Sequence, residues 1–331
     1  MENILITGGA GFIGSHLCET LIDSGHSVVA MDDLSTGSLD NIQHLDSTLE
    51  FQFVRETIMN SQVLDRLASE ADTIIHLAAA VGVKLIVENP VRTITTNIMG
   101  TEAVLSAANR YGCKVLIASS SEVYGKGVRV PFREDDDRLM GSTSHSRWSY
   151  AASKAVDEFL GLAYHQQYGL PVVILRFFNT VGPRQTGRYG MVVPRFVRQA
   201  LLEQPLTVFG DGRQSRCFAD VVDVTSAVVN LMEHPKAVGQ VFNIGSTEEI
   251  TICDLAQRVI DMTGSPSKTQ YVPYDQAYAP GFEDMQRRVP SLEKINSLIG
   301  YEPRSSLDDI LKRVIDYEKT FPNKGSNAFC E

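Results

Sequence analysis

Residues 4–14 read Ile-Leu-Ile-Thr-Gly-Gly-Ala-Gly-Phe-Ile-Gly, a short apolar run followed by glycines at positions 8, 11 and 14. Ile13, Leu17, Leu21 and Ile22 then recur at helical spacing, so the stretch reads as strand, tight turn and helix. Glycines at such a turn let backbone approach a pyrophosphate, and the following helix N-terminus offers unpaired N–H groups and the positive end of its dipole. Gly8, Gly11, Phe12, Ile13 and Gly14 are therefore expected to hold a dinucleotide. The next apolar run, Val28-Val29-Ala30-Met31, ends in Asp32-Asp33. An acidic residue about 20 positions beyond the glycines suits a ribose 2′-hydroxyl and repels a 2′-phosphate, which makes NAD the expected cofactor and Asp32 its ribose ligand.

Apolar β-rich runs at about 3–7, 27–31, 51–54, 73–77, 114–119 and 171–176 alternate with helical patterns at about 12–24, 97–111 and 150–168. Such alternation predicts a parallel sheet covered on both faces. Beyond Arg176 the pattern is irregular and punctuated by prolines, but 221–233 and 241–244 still have core character. The expected fold class is α/β, a Rossmann-type doubly wound parallel sheet with a smaller, mixed α/β C-terminal substrate lobe. Residues 1–176 would form the NAD-binding domain, with 221–245 returning to it. Residues 177–220 and 246–321 would form the second lobe, and 322–331 a frayed tail.

A net charge of −10 argues against unspecific nucleic-acid or anionic-membrane binding, both of which need positive surface. No apolar run approaches the roughly 18 residues of a membrane span. Five cysteines, at 18, 113, 217, 253 and 330, show no metal-ligand or disulfide spacing and read as reduced thiols, with no metal expected. The chain opens directly on a strand, which is read as leaving no room for a secretory leader. The expected location is the cytoplasm.

Tyr150 and Lys154 stand four residues apart in Ser-Tyr-Ala-Ala-Ser-Lys, so on a helix they share a face. An ammonium beside a phenol favours phenolate and lowers the tyrosine pKa towards neutrality. The pair could then remove a proton from a sugar hydroxyl while hydride leaves the same carbon. The strand at 114–119 runs into Ser119-Ser120-Ser121-Glu122-Val123-Tyr124-Gly125, which sets hydroxyls at a strand's carboxyl end, where open α/β sheets bind substrates.

The glycine spacing, the serine triplet before Val-Tyr-Gly, Tyr-x-x-x-Lys and Arg176-Phe177-Phe178-Asn179 occur here in the order that marks the extended short-chain dehydrogenase/reductase family of nucleotide-sugar enzymes. The resemblance runs through about residue 317. It implies Tyr150 as base, Lys154 as its electrostatic partner and ligand of the nicotinamide ribose, and Ser120 or Ser121 as the hydroxyl bonding the sugar O4. It puts Ala78, Ala79 and Asn97 along the cofactor. Asn179, Arg184, Arg216 and Arg288 fall to the nucleotide-sugar diphosphate, which forked guanidiniums suit, and Thr207 to the segment beside the base. One departure is Thr57, where many relatives carry an Asp that binds the adenine amino group; Glu56 or a backbone group must substitute. The helices near 97–111 and 150–168 resemble the family's dimer interface, with Val104, Leu105, Phe159 and Leu162 as apolar candidates for a homodimer, a pattern that fits ordinary core packing equally.

Family members share C4 oxidation to a 4-keto sugar and then diverge. A 4,6-dehydratase usually needs an Asp-Glu pair where this chain has Ser121-Glu122, which disfavours dehydration. Ser-Ser-Glu before Val-Tyr-Gly, Arg147-Trp148 and Arg287-Arg288-Val289-Pro290 resemble UDP-glucuronate decarboxylases. Against this, Ile86 replaces their usual Tyr, and Gly82-Val83-Lys84 resembles the Gly-Val-Arg of uronate 4-epimerases, with Lys84 able to meet a C6 carboxylate. The expectation is a UDP-sugar (glucose or glucuronate type) 4-epimerase, with the decarboxylase as alternative and an NDP-sugar 4,6-dehydratase or a non-catalytic NAD- and nucleotide-sugar-binding protein less favoured; the choice rests with Ser121, Glu122 and Lys84.

Overall fold

The computed structural model describes residues 1–82, 89–187, 191–277 and 285–322. In chain order the strands are β1 (Asn3–Thr7), β2 (Ser27–Asp32), β3 (Phe51–Arg55), β4 (Thr73–His76), β5 (Lys114–Ser120), β6 (Val172–Phe177) and β7 (Thr180–Val181). They continue with β8 (Leu206–Phe209), β9 (Ser215–Cys217), β10 (Ala219–Asp220), β11 (Gln240–Ile244), β12 (Glu249–Thr251) and β13 (Thr269–Val272).

Seven strands form one sheet in the order β11-β6-β5-β4-β1-β2-β3, and every neighbouring pair is parallel. Parallel strands buried on both faces read as continuous apolar runs, which is why β1 carries Ile4, Leu5 and Ile6 in succession. Strand alternation sends Ile4 and Ile6 to one face and Leu5 to the other. On the first face they meet Leu17 and Leu21 of the helix Phe12–Asp23 and Val224, Val228 and Leu231 of the helix Val221–Glu233. On the second, Leu5, Ile74, Val115 and Ile174 pack with Leu64 and with Val104 and Leu105 of the helix Pro90–Tyr111.

The strand order reverses between β1 and β4, since the chain builds outward through β2 and β3 on one side and through β5, β6 and β11 on the other. Such a switch point opens a crevice at the carboxyl ends of the strands. Over it lies a second core of Phe196, Val197, Leu206, Val208, Leu255, Val259, Ile310, Leu311 and Val314. Its elements are the helices Val192–Leu201, Ile252–Thr263 and Leu307–Thr320, the parallel pair β8/β13 and the antiparallel pair β9/β12.

Two helices begin earlier than their apolar periodicity suggests. One opens on Pro90, whose fixed φ and missing N–H suit a first turn. The other runs Arg147–Tyr168 and so brings Arg147 onto the helix of Tyr150. Of the apolar residues assigned above to a dimer face, Val104 and Leu105 are instead fully buried in this chain's own core. Leu162 packs partly against that core, and Phe159 is 63% exposed. Among the described residues no helix is long and apolar enough to cross a membrane. Residues 323–331, most of the expected tail, lie outside the described residues.

Candidate active site

A cleft of about 1090 Å³ runs along the carboxyl ends of β1, β2, β4, β5 and β6 and under the second lobe. At one end the turn after β1 is packed so closely that only glycine fits. A Cβ on Gly14 would stand 2.2 Å from the Gly8 carbonyl oxygen, and one on Gly8 would stand 2.8 Å from the Ala78 nitrogen. Gly8 also has a φ of +77°, open to glycine at no steric cost. Gly11 caps the helix Phe12–Asp23 with no side-chain hydrogen bond to its first amides, so those N–H groups face the cleft beside Phe12, Ile13 and Gly14. This cradle fits a dinucleotide pyrophosphate.

Asp32, at the end of β2, accepts hydrogen bonds from the Leu34 N–H at 2.8 Å and the Ala10 N–H at 3.1 Å. Burial raises its pKa above the ordinary aspartate value, against the pull of those two amides. Ala78 and Ala79 line the same path. Asn97 is not a lining residue: it is fully buried behind the wall, where its Oδ1 accepts from the Ala80 N–H at 2.8 Å and its Nδ2 donates to Ser153 Oγ at 3.0 Å. At the Thr57 departure, the Glu56 carboxylate accepts from the Thr57 N–H and from Asn60 Nδ2, each at 2.9 Å, and residues 56–59 all line the cleft.

The other end gathers serine, tyrosine, one carboxylate and several guanidiniums. Ser120 ends β5 and caps the turn Ser121–Tyr124 by accepting from the Glu122 N–H, and its hydroxyl also hydrogen-bonds the Tyr150 phenol. Glu122 lies between Arg147 at 2.5 Å and Arg288 at 2.9 Å, and Arg288 also donates to Ser121 Oγ at 3.3 Å. Burial alone would raise the Glu122 pKa, but Arg147 and Arg288, with Arg216 behind them, hold it well below the usual carboxylate range.

Tyr150 and Lys154 share the cleft-facing side of their helix. The expected lowering of the Tyr150 pKa is corrected, because the protein's own groups push it upward. Burial acts most strongly, followed by the Glu122 carboxylate; Ser120 opposes them and Asp157 adds to them. The Lys154 ammonium is committed to Asp157 Oδ2 at 3.0 Å, one helical turn away from the phenol.

Arg216 in β9 is buried and lines the cleft, as does Asn179, held by a bond from its Nδ2 to the Cys217 carbonyl at 2.9 Å. Two residues assigned to substrate face elsewhere. Arg184 turns from the cleft to pair with Glu19 at 2.6 Å. Thr207 spends its N–H and hydroxyl on Gln199 at 3.0 and 2.8 Å, and its strand neighbour Phe209 is the lining residue, with the Arg195 guanidinium 4.4 Å over its ring. Lys84 and Ile86 lie outside the described residues. Arg195 and Phe209 carried no signal of spacing, whereas Arg147 did: it stands three residues before Tyr150, on the same helix face.

A family model described as GDP-mannose 4,6 dehydratase matches residues 5–314. A UDP-N-acetyl-α-D-glucosaminuronate decarboxylase of Bacillus cytotoxicus is 42% identical over 97% of this chain and 99% of its own length. UDP-glucuronic acid decarboxylase 1 of Danio rerio is 37% identical over 96% of this chain and 72% of its own length. Among solved structures, the UDP-glucuronic acid 4-epimerase of Bacillus cereus, in complex with UDP-glucuronic acid and NAD, superposes with a TM-score of 0.87 at 34% identity, covering 96% of this chain and 99% of that one. With the glycine cradle, the switch-point cleft and the Ser-Tyr-Lys set along one cleft, these similarities place the chain in the extended short-chain dehydrogenase/reductase family of NAD-dependent nucleotide-sugar-modifying enzymes.

Proposed function

We propose that the chain is a UDP-uronate decarboxylase acting through a transient 4-keto sugar, a choice that reverses the order of the two readings favoured from sequence. The observation that carries it is the ionised Glu122 carboxylate held between Arg147 and Arg288 beside Tyr150. The other acidic residues lining the cleft, Asp32, Asp33 and Glu56, belong to its nucleotide end. Among the described residues, Glu122 therefore stands alone against Arg147, Arg216 and Arg288 at this end, a positive excess suited to a substrate with a diphosphate and a C6 carboxylate. The decarboxylase names of relatives at 42% and 37% identity support the same reading.

Tyr150 takes the proton of the C4 hydroxyl, a role that needs a positive charge to offset the upward push of burial and Glu122, which the nicotinamide cation of bound NAD would supply; Ser120 bonds the same oxygen. Bound NAD supplies the chemistry of removing a hydride from C4 and later returning it. A C4 ketone lies β to the C6 carboxylate, so the C5–C6 bond breaks, CO₂ leaves, and the electron pair forms a C4–C5 enolate. Ser120 and the now protonated Tyr150 can both donate to its oxygen. C5 takes a proton from solvent water in place of CO₂, the one proton the net reaction consumes, and the restored C4 alcohol recovers its proton from Tyr150. The product is a UDP-pentose, with no net oxidation. Glu122, ionised, serves to hold the two guanidiniums and not to donate a proton. Gly8, Gly11, Gly14, Asp32, Ala78 and Ala79 would hold the cofactor, and Asn179, Arg216 and Arg288 the substrate.

A second reading, uronate 4-epimerase, is favoured by the 0.87 TM-score to the Bacillus cereus enzyme. Incubating the purified protein with NAD and either UDP-glucuronate or its N-acetyl counterpart, with product identification by NMR, separates the two. CO₂ release with a UDP-pentose is expected; a C4 epimer that retains its carboxylate establishes the epimerase instead.

A further inference from the structure

The helix Arg147–Tyr168 sets Arg147, Tyr150, Lys154 and Asp157 along one stripe, at offsets of −3, 0, +4 and +7 from the tyrosine. All four are buried, Lys154 to 2% exposure and Asp157 completely. A lysine ammonium so deep in the protein needs a counter-charge, and Asp157 Oδ2 supplies it at 3.0 Å. The second oxygen, Oδ1, is buried without a hydrogen-bond partner among the described residues. Half-satisfied burial of a carboxylate is costly, and the ion pair with Lys154 is what compensates for it. Asp157 faces no part of the cleft, so any effect on chemistry must pass through Lys154 or through its field at Tyr150.

We propose that Asp157 is a positioning residue for proton transfer at Tyr150, acting through Lys154: its carboxylate anchors the ammonium one turn beyond the phenol and sets the pH range in which Tyr150 works as a base. The inference rests on the reading of Tyr150 as that base. The groups acting on the phenol are Ser120 at the end of β5, Glu122 in the turn after it, and Arg147 and Asp157 on its own helix, with Lys154 lining the cleft one turn along. Arg288 enters from the opposite side through its bond to Glu122. His76 in β4 feels the Lys154 charge, but burial and that charge push it down to about 3, so it is neutral and leaves the balance to the others.

Asp157→Asn keeps the shape and removes the charge. The phenol then loses a negative neighbour, and the ammonium is released from its anchor. The loss of the negative neighbour favours phenolate, so the acid limb of kcat/KM against pH is expected to move to lower pH by about half to one unit. Asp157→Glu, which keeps the charge, should stay near the wild-type profile. Thermal melting checks that each variant is folded, and Asp157→Ser replaces the Asn variant should that one not fold. A limb that stays put in a folded charge-free variant overturns the inference, as does a loss of kcat with no displacement of the profile. Tyr150→Phe distinguishes the two layers: turnover retained in that variant removes Tyr150 as base, whatever Asp157 does.

Discussion

The Arg288 guanidinium lies 2.9 Å from the Glu122 carboxylate, joining the stretch between β13 and the helix Leu307–Thr320 to the turn after β5. Arg147 meets the same carboxylate from the helix of Tyr150, so three separate stretches of chain converge on one charge. Glu122→Gln preserves size and removes that charge. CO₂ release from UDP-glucuronate is expected to fall about a hundredfold, the scale of losing one preorganised charge in an active site. Trapped labelled CO₂ measures it directly, and unchanged release removes Glu122 from the reaction.

The same residue carries a pH-dependent share of stability. Its folded pKa is depressed below the ordinary 4.5, so the stabilisation is present above the unfolded value and is lost as pH falls towards the depressed folded one. Melting temperatures of the wild-type chain and Glu122→Gln should therefore differ most at neutral pH and draw together below about 4.5. A gap that stays constant down to acid pH contradicts the ion-pair account.

The sheet was legible because its strands are buried on both faces: residues such as Ile4, Leu5 and Ile6 announce a parallel strand before any contact is known. The glycine turn was legible for a related reason, since only a residue without Cβ fits at Gly8 and at Gly14. Side chains whose targets are set by tertiary packing were less so. Arg184 and Glu19 are 165 residues apart, and nothing local says that they pair. Thr207 and Phe209 share one face of their strand, and only Phe209 meets the cleft because Thr207 is taken up by Gln199 of the neighbouring helix. Asp157 was within reach of helical arithmetic, standing one turn beyond Lys154, but its burial beside that lysine is a property of the packed helix.

Gly14 offers a steric test of the cofactor end. Gly14→Ala places a methyl 2.2 Å from the Gly8 carbonyl and 2.8 Å from the Gly9 Cα, so the turn must open. NAD affinity measured by calorimetry is expected to weaken at least about tenfold, or 1.4 kcal/mol. Retained affinity would show that the backbone amides here do not bind the pyrophosphate.

Arg176 holds the scaffold under the active site. It is 1% exposed and donates through Nε and Nη2 to the two Glu158 oxygens, each at 2.8 Å. Its Nη1 reaches the Tyr124 hydroxyl at 2.7 Å and the Glu134 carbonyl at 3.0 Å. Burial would lower its pKa, but the Glu158 contact outweighs that and raises it, so the guanidinium stays charged at any usable pH. Glu158 also accepts from Ser119 Oγ at 2.6 Å and pairs with Arg138, which ties β5, β6 and the helix of Tyr150 together. Arg176→Met fills the volume but strips Glu158 of its bidentate partner and leaves Tyr124 short of a donor. Breaking a buried pair from one side costs about 3–5 kcal/mol, and urea denaturation should show a loss of that order. Because Arg138 still reaches Glu158, the loss should deepen in the Arg176→Met/Arg138→Met double variant. A single variant within 1 kcal/mol of wild type, about the scale of an exposed pair, would contradict the account of Arg176 as the anchor of this layer.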